Sequence, residues 1–71
     1  MTDYAVILDK TDTGYCAWVP DLPGCVAAGA SLQETQRLIR EAVQFHIESL
    51  RRHGEPVPPP TTRAEYVGTS V

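Results

Sequence analysis

Residues 31–53 carry the longest helical pattern in the chain. Apolar side chains recur three and four positions apart, at Leu32, Leu38, Ile39, Ala42, Val43, Ile47 and Leu50. Ser31 and Glu34 fit a capping box at the start of this segment. Gly54 and Pro56 are suited to its end. The pattern predicts one amphipathic helix over this range, and its apolar stripe must be covered by other parts of the chain.

Three short apolar segments before the helix predict β-strands, at Tyr4–Leu8, Tyr15–Val19 and Cys25–Ala28. The first segment is apolar on both faces, which is typical of a central strand. Between the second and third strands, the residues Leu22, Pro23, Gly24 and Cys25 fit a type II turn, because proline suits its second position and glycine its third. An antiparallel meander covered by the helix is therefore expected.

A proline-rich connector over residues 54–62 follows the helix, and Arg63–Val67 then alternates like a fourth strand. A short proline tract can also be a ligand for an aromatic groove. The predicted order β-β-β-α-β, with a right-handed crossover, is an α+β two-layer fold with sheet order 3-2-1-4. The sequence leaves open which sheet face the helix covers, so Trp18 is either a core residue or an exposed anchor for a partner.

With 71 residues, the chain is expected to form a single domain over residues 1–71. Cores of this size are often supplemented by oligomerisation. The predicted helix is about 34 Å long, whereas strands of five to seven residues reach roughly 17–23 Å. We therefore expect the helix to overhang the sheet near residues 47–53, where a partner or a second copy would cover the apolar stripe.

Composition argues against a nucleic-acid-binding, secreted, membrane-spanning or disulfide-stabilised protein. The formal charge of −3 provides no basic face for direct nucleic-acid binding. The N-terminal residues lack the features of a secretion signal, and no apolar run is long enough to cross a membrane, so a cytoplasmic location is expected. Two cysteines, Cys16 and Cys25, are too few for a disulfide scaffold. They are predicted to be small buried thiols, with a disulfide as a minor alternative.

Catalytic and metal sites are not expected. A ribonuclease-H-type centre needs several carboxylates that converge on two metal ions, but Val6 and Ile7 are apolar where an inward acid of the first strand would sit. His46 is interpreted as a half-buried stripe residue, and His53 as a cation at the helix end. The chain is therefore predicted to be neither an enzyme nor a protein with a cofactor.

The sequence resembles the HicB-like antitoxin family. The resemblance rests on the block from Tyr15 to Cys25 that ends in PDLPGC, on the helix start at Gly29, Ser31, Leu32 and Glu34, and on Pro56 and Pro58. It implies a partial ribonuclease-H-like fold that binds a small, basic, mRNA-cleaving HicA-like toxin. Full-length members carry a second, DNA-binding domain. Because four residues follow Val67, such a domain is expected to be missing here.

The first hypothesis is therefore a non-enzymatic, toxin-neutralising domain of a type II toxin–antitoxin system. The residues predicted to contact a partner are Trp18, Asp21, Leu22, Cys25, Ile47 and Leu50, together with the open strand edge near residues 25–28. A homo-oligomer, dimeric or larger, is also expected. The alternatives are a self-associating structural or regulatory domain with no toxin partner, and a divergent ribonuclease-H-like nuclease.

Overall fold

The computed structural model describes residues 3–70 and has an α+β fold. Its strands are β1 (Ile7–Lys10), β2 (Tyr15–Trp18) and β3 (Val26–Gly29), and they are followed by one long helix, α1 (Leu32–Arg52). The strands form an antiparallel sheet in the order β1-β2-β3. Helix α1 packs across β2 and β3. The predicted three-stranded meander beneath a single helix is confirmed.

The first strand begins three residues later than predicted and includes two polar residues. Lys10 pairs with Tyr15, because the loop between them closes with a hydrogen bond from the Thr11 N–H to the Gly14 carbonyl at 2.8 Å. At the other end, the Val19 N–H donates to the Cys25 carbonyl at 3.2 Å. Pro20 has no N–H to donate. The ladder between β1 and β2 therefore ends at the pair of Ile7 with Trp18.

The turn between β2 and β3 has the predicted type II form. The Cys25 N–H donates to the Leu22 carbonyl at 3.0 Å. Gly24 has a φ of 84°, a value that only glycine adopts at low cost. Because the turn folds back against the core, the side chains of Leu22 and Cys25 are almost fully buried.

Both ends of α1 are capped as the sequence predicted. The Ser31 hydroxyl accepts a hydrogen bond from the Glu34 N–H at 3.1 Å. At the C-terminus, the Glu55 N–H donates to the Leu50 carbonyl at 2.9 Å, and the Gly54 N–H donates to the Arg51 carbonyl at 3.1 Å. With Gly54 at a φ of 68°, this is a Schellman motif. The helix bounds agree with the prediction to within one residue.

The helix covers the sheet face that carries Leu8, Ala17 and Ala27, which lie opposite one another on the three strands. Ala17 and Val19 are fully buried there against Ile39 of α1, and Leu22 and Cys25 complete the buried core. Since side chains alternate along a strand, Trp18 points to the other face. This settles which face the helix covers, a question that the sequence left open.

The predicted fourth strand is not formed: residues 55–70 contain no regular secondary structure. Within the described chain the sheet order is therefore β1-β2-β3, and the position beside β1 predicted for Arg63–Val67 is not occupied. Asp21 accepts hydrogen bonds from Thr61 and Thr62. Beyond this anchor, residues 63–70 are exposed and belong to no strand. We call them the C-terminal arm.

Candidate functional site

The sheet face opposite α1 carries a row of three apolar side chains, one from each strand. Ile7, Trp18 and Val26 are direct cross-strand neighbours, so their Cβ atoms lie about 5 Å apart. Trp18 is 37% exposed and Val26 is 65% exposed. We call Ile7, Trp18 and Val26 the open-face row. A large aromatic residue beside a β-branched one on a solvated face is typical of a protein-binding surface.

The apolar surface continues around the edge of β3 to the helix. A groove of about 420 Å³ lies there, and its lining is Val26, Ala27, Ala28, Leu38, Glu41, Ala42 and Phe45. Phe45 is 69% exposed. We call this feature the β3 groove. Val26 belongs both to the open-face row and to the groove, so the two form one continuous apolar surface with Glu41 as its charged member.

The outer edge of β3 is also available for hydrogen bonding. Among residues 3–70, β3 pairs with β2 and with no other strand. The N–H and C=O groups on its other side therefore form an open edge. A partner segment in a strand conformation can hydrogen-bond to this edge and add a strand to the sheet. Cys16 and Asp9 lie next to the open-face row, on the same sheet face. The surface thus combines apolar contact area, a strand edge and acidic groups.

The predicted contact residues are divided between this surface and the core. Trp18 lies in the open-face row. Ile47 and Leu50 are half-buried on α1, and Ile47 packs against the core. Leu22 and Cys25 are almost fully buried. Their side chains are part of the core and are not available to a partner in this conformation. Burial also raises the pKa of the Cys25 thiol.

The Asp21 carboxylate is occupied by its own chain. Its two oxygens accept four hydrogen bonds: from the N–H groups of Thr61 and Thr62 at 3.0 and 2.9 Å, and from their hydroxyls at 3.2 and 2.8 Å. The bonds from Thr62 contribute most to lowering the pKa of Asp21 below its ordinary value. The structure therefore gives Asp21 an anchoring role. We call these four bonds the Asp21 clamp.

The acidic residues that were weighed as metal ligands do not converge. Across residues 3–70, no three side chains of the His, Cys, Asp and Glu types come together in a way that could hold a metal ion. Within residues 3–70, no helix combines the length and the apolar character needed to cross a membrane. The apolar surface at β3, with its exposed Trp18, Val26 and Phe45, is the candidate functional site of the described chain.

Comparison with known proteins gives the family. The model of the HicB-like antitoxin of bacterial toxin–antitoxin systems matches residues 4–70. The chain belongs to the HicB-like antitoxin family. A solved structure described as a HicA3 and HicB3 toxin–antitoxin complex contains a chain with the same fold, at a TM-score of 0.72 and 35% sequence identity. The match covers 83% of this chain and 70% of the other.

Relatives of this HicB-like chain occur in a phage, in archaea and in bacteria. A 14.9 kDa protein of the rep-hol intergenic region of Haemophilus phage HP1 is 36% identical over 90% of the chain, which spans about half (48%) of that protein. A UPF0150 protein of Thermoplasma acidophilum is 43% identical over 78% of the chain and 81% of its own length. A UPF0150 protein of Synechocystis is 42% identical over 79% of the chain and 72% of its own length.

Two members of the HicB-like chain's apolar surface, Ile7 and Phe45, were not predicted from the sequence, whereas Val26 lies in the strand edge over residues 25–28 that was predicted to contact a partner. The strand alternation contained a signal for Ile7, because it shares a face with Trp18 once the cross-strand register is known. Phe45 lies two residues after Val43 and two residues before Ile47. Residues two apart face different sides of a helix, so the helical pattern alone placed Phe45 off the stripe. Its proximity to Val26 depends on how α1 crosses β3.

Proposed function

We propose that this chain is a toxin-binding domain that neutralises a small, basic, HicA-like ribonuclease by covering it. Its membership of the antitoxin family supports the proposal. So does its likeness to a chain solved in a complex described as HicA3 with HicB3. The proposed action is contact without turnover: the antitoxin domain occludes the toxin and does not cleave RNA.

The observation that carries the proposal is the concentration of exposed large apolar side chains at β3. Trp18, Val26 and Phe45 are exposed together along the open-face row and the β3 groove. Buried apolar area supplies affinity, and a few large anchors usually dominate it. The free edge of β3 adds backbone hydrogen bonds that fix the orientation of the bound segment.

Charge supports the same choice of partner. The chain carries a formal charge of −3, and Asp9 lies beside the open-face row. Glu41 lines the β3 groove and pairs with Arg37 at 3.2 Å. Opposite charge on a basic toxin would accelerate the encounter and make association depend on salt. The same negative charge disfavours direct RNA or DNA binding by residues 3–70. A cytoplasmic location belongs to the proposal, since the mRNA that such a toxin cleaves is found there.

The decisive experiment tests whether this chain binds a small, basic, HicA-like protein from the same organism and inhibits its cleavage of RNA. The wild-type chain should bind that protein and abolish cleavage. Trp18→Ala and Phe45→Ala should each weaken binding about 30-fold or more, because each removes about 2 kcal/mol of anchor contact. Both residues lie outside the buried core, so circular dichroism should show an intact fold.

Leu32→Ala is the matched control, since Leu32 is also an exposed apolar residue of α1 but does not line the β3 groove. Its affinity should stay within about threefold of the wild-type value. If the wild-type chain does not bind at low salt, the proposed function is wrong. If it binds but Trp18→Ala and Phe45→Ala bind equally well, the toxin contacts a different surface.

A further inference from the structure

Residues 4–8, which lead into β1 and form its first half, are apolar on both faces, but β1 lies at an edge of the sheet. Among residues 3–70 it pairs with β2 alone. Beside it, between the residues preceding β1 and α1, lies a cleft of about 680 Å³. The lining of this β1 cleft includes Tyr4, Val6, Arg40, Val43 and Ile47. An added strand would pair with this edge and cover the cleft.

The C-terminal arm has the opposite property: it is a strand-like segment without a sheet. Residues 63–67 alternate as a strand does, but Tyr66 is 101% exposed and Val67 is 78% exposed. The radius of gyration is 13.7 Å and the longest dimension is 48 Å, whereas a compact chain of this length has a radius of about 11 Å. The arm therefore projects from the body of the molecule.

The base of the arm is held firmly while its tip is unpaired. The Asp21 clamp holds Thr61 and Thr62 by four hydrogen bonds, and the Tyr4 hydroxyl donates to the Pro58 carbonyl. These contacts fix the direction in which the arm leaves the body. The arm does not line the β1 cleft of its own chain. It is therefore available to pair with another molecule.

We propose that the C-terminal arm of one copy pairs with the edge of β1 in a second copy and fills its β1 cleft, in a reciprocal two-fold exchange. Each copy then contributes the fourth strand that the other lacks. Such an exchange is isologous and closes on itself, so it produces a dimer. It needs no toxin and is independent of the proposed function.

Length, side-chain pattern and charge fit this assignment. Eight extended residues reach about 26 Å, enough to run along residues 4–10 of a second copy, which span about 23 Å. Ala64 and Tyr66 would point toward Val43 and Ile47 of α1, while Val67 would extend the open-face row beyond Ile7. The cleft lining includes one acid and one base, Asp3 and Arg40, and the arm likewise carries Arg63 and Glu65.

An isotope-filtered NMR experiment on the wild-type chain tests the exchange directly. Labelled and unlabelled chains are mixed in denaturant and refolded together. We expect nuclear Overhauser effects between the Tyr66 ring of the unlabelled copy and the Val43 and Ile47 methyl groups of the labelled copy. If these contacts occur only within one chain, or if Tyr66 contacts neither methyl group, the proposal is wrong.

Light scattering with matched variants provides the second test. The wild-type chain should be a dimer, and deletion of residues 63–71 or Glu65→Pro should weaken dimerisation at least tenfold. Proline removes a ladder N–H and is excluded from internal strands. Glu65→Ala keeps that N–H and is the control. Its dimer dissociation constant should stay within about threefold of the wild-type value. A dimer that is unaffected by the deletion, or a wild-type chain that stays monomeric at 100 μM, contradicts the exchange.

Discussion

Gly14 lies where the β1–β2 hairpin touches the end of β3. A methyl group added at this position would come within 2.2 Å of the Gly29 carbonyl oxygen and 2.9 Å of the Ala30 Cα. Both atoms belong to the backbone, so neither can rotate out of the way. The absence of a side chain at this single residue therefore allows the hairpin and the start of the helical connection to pack together.

Gly14→Ala should destabilise the fold by roughly 1–3 kcal/mol, the usual cost of forcing extra volume into a packed site. Urea denaturation monitored by circular dichroism measures the change in the free energy of unfolding. Gly68→Ala is the matched control, because its methyl group would meet nothing within 4 Å, and its effect should stay within about 0.5 kcal/mol. Equal stabilities for the two variants would show that the close contact relaxes freely.

At the scale of elements, hydrogen bonds in its first turn help to position the helix on the sheet. The Ser31 hydroxyl caps the Glu34 N–H. The Thr35 hydroxyl is fully buried and donates to the Ser31 carbonyl at 2.8 Å, with a longer contact of 3.4 Å to the Tyr15 carbonyl of β2. In the helical pattern, Thr35 bridges an early step of the apolar stripe. In the structure, its hydroxyl also joins the helix start to the sheet.

Ser31→Ala should lower the free energy of unfolding by about 1 kcal/mol, because the Glu34 N–H loses its capping acceptor. Thermal and urea denaturation of the purified chain give the value. Gln33→Ala changes an exposed residue of the same helical turn and leaves the cap intact, so it should be nearly neutral. If both variants have the stability of the wild type, solvent replaces the cap without cost.

At the scale of the whole molecule, one carboxylate links segments that are forty residues apart. Asp21 follows β2, and its partners Thr61 and Thr62 follow the proline-rich connector. The buried core comprises Ala17, Val19, Leu22, Cys25 and Ile39 among its apolar members. A core of this size leaves a small margin of stability. Contacts that tie the C-terminal segment to the body are therefore important for the shape of the molecule.

The pKa of Asp21 in the folded chain should be below 3.8, the ordinary value, because the clamp favours the charged carboxylate. A lowered folded-state pKa contributes stability above the ordinary value, and this contribution is lost as the pH falls through the lowered pKa. The clamp should therefore open on acidification below about pH 4. A carbon-detected NMR titration of the Asp21 carboxyl group measures the pKa, and the Thr61 and Thr62 amide signals report release.

Asp21→Asn is the control for the clamp. It keeps the size of the side chain but removes the charge, so the amide signals of Thr61 and Thr62 should no longer follow a carboxyl titration between pH 2 and 5. An Asp21 pKa at or above 3.8, or amide signals that are unaffected by it in the wild type, would mean that the clamp does not form in solution.

Local chemistry in the sequence determined much of this fold. Ser31, Pro23 and Gly24 predicted the helix start and the type II turn, because capping and turn preferences act over three or four residues. The alternation along Tyr15–Val19 and the 3.6-residue period of α1 predicted an α+β meander under one helix. The block ending in PDLPGC, taken with the helix start, was specific enough to indicate the family that the comparisons then confirmed.

Only the tertiary structure decided the arrangement of surfaces. Both faces of β2 carry large apolar groups, so the sequence did not determine that Ala17 faces α1 and Trp18 faces solvent. It also did not predict that Asp21 would bind Thr61 and Thr62, or that the C-terminal arm would leave the edge of β1 uncovered. The physical reason is range: caps, turns and periodicity depend on neighbouring residues, whereas faces, edges and long-range hydrogen bonds depend on how separate elements pack.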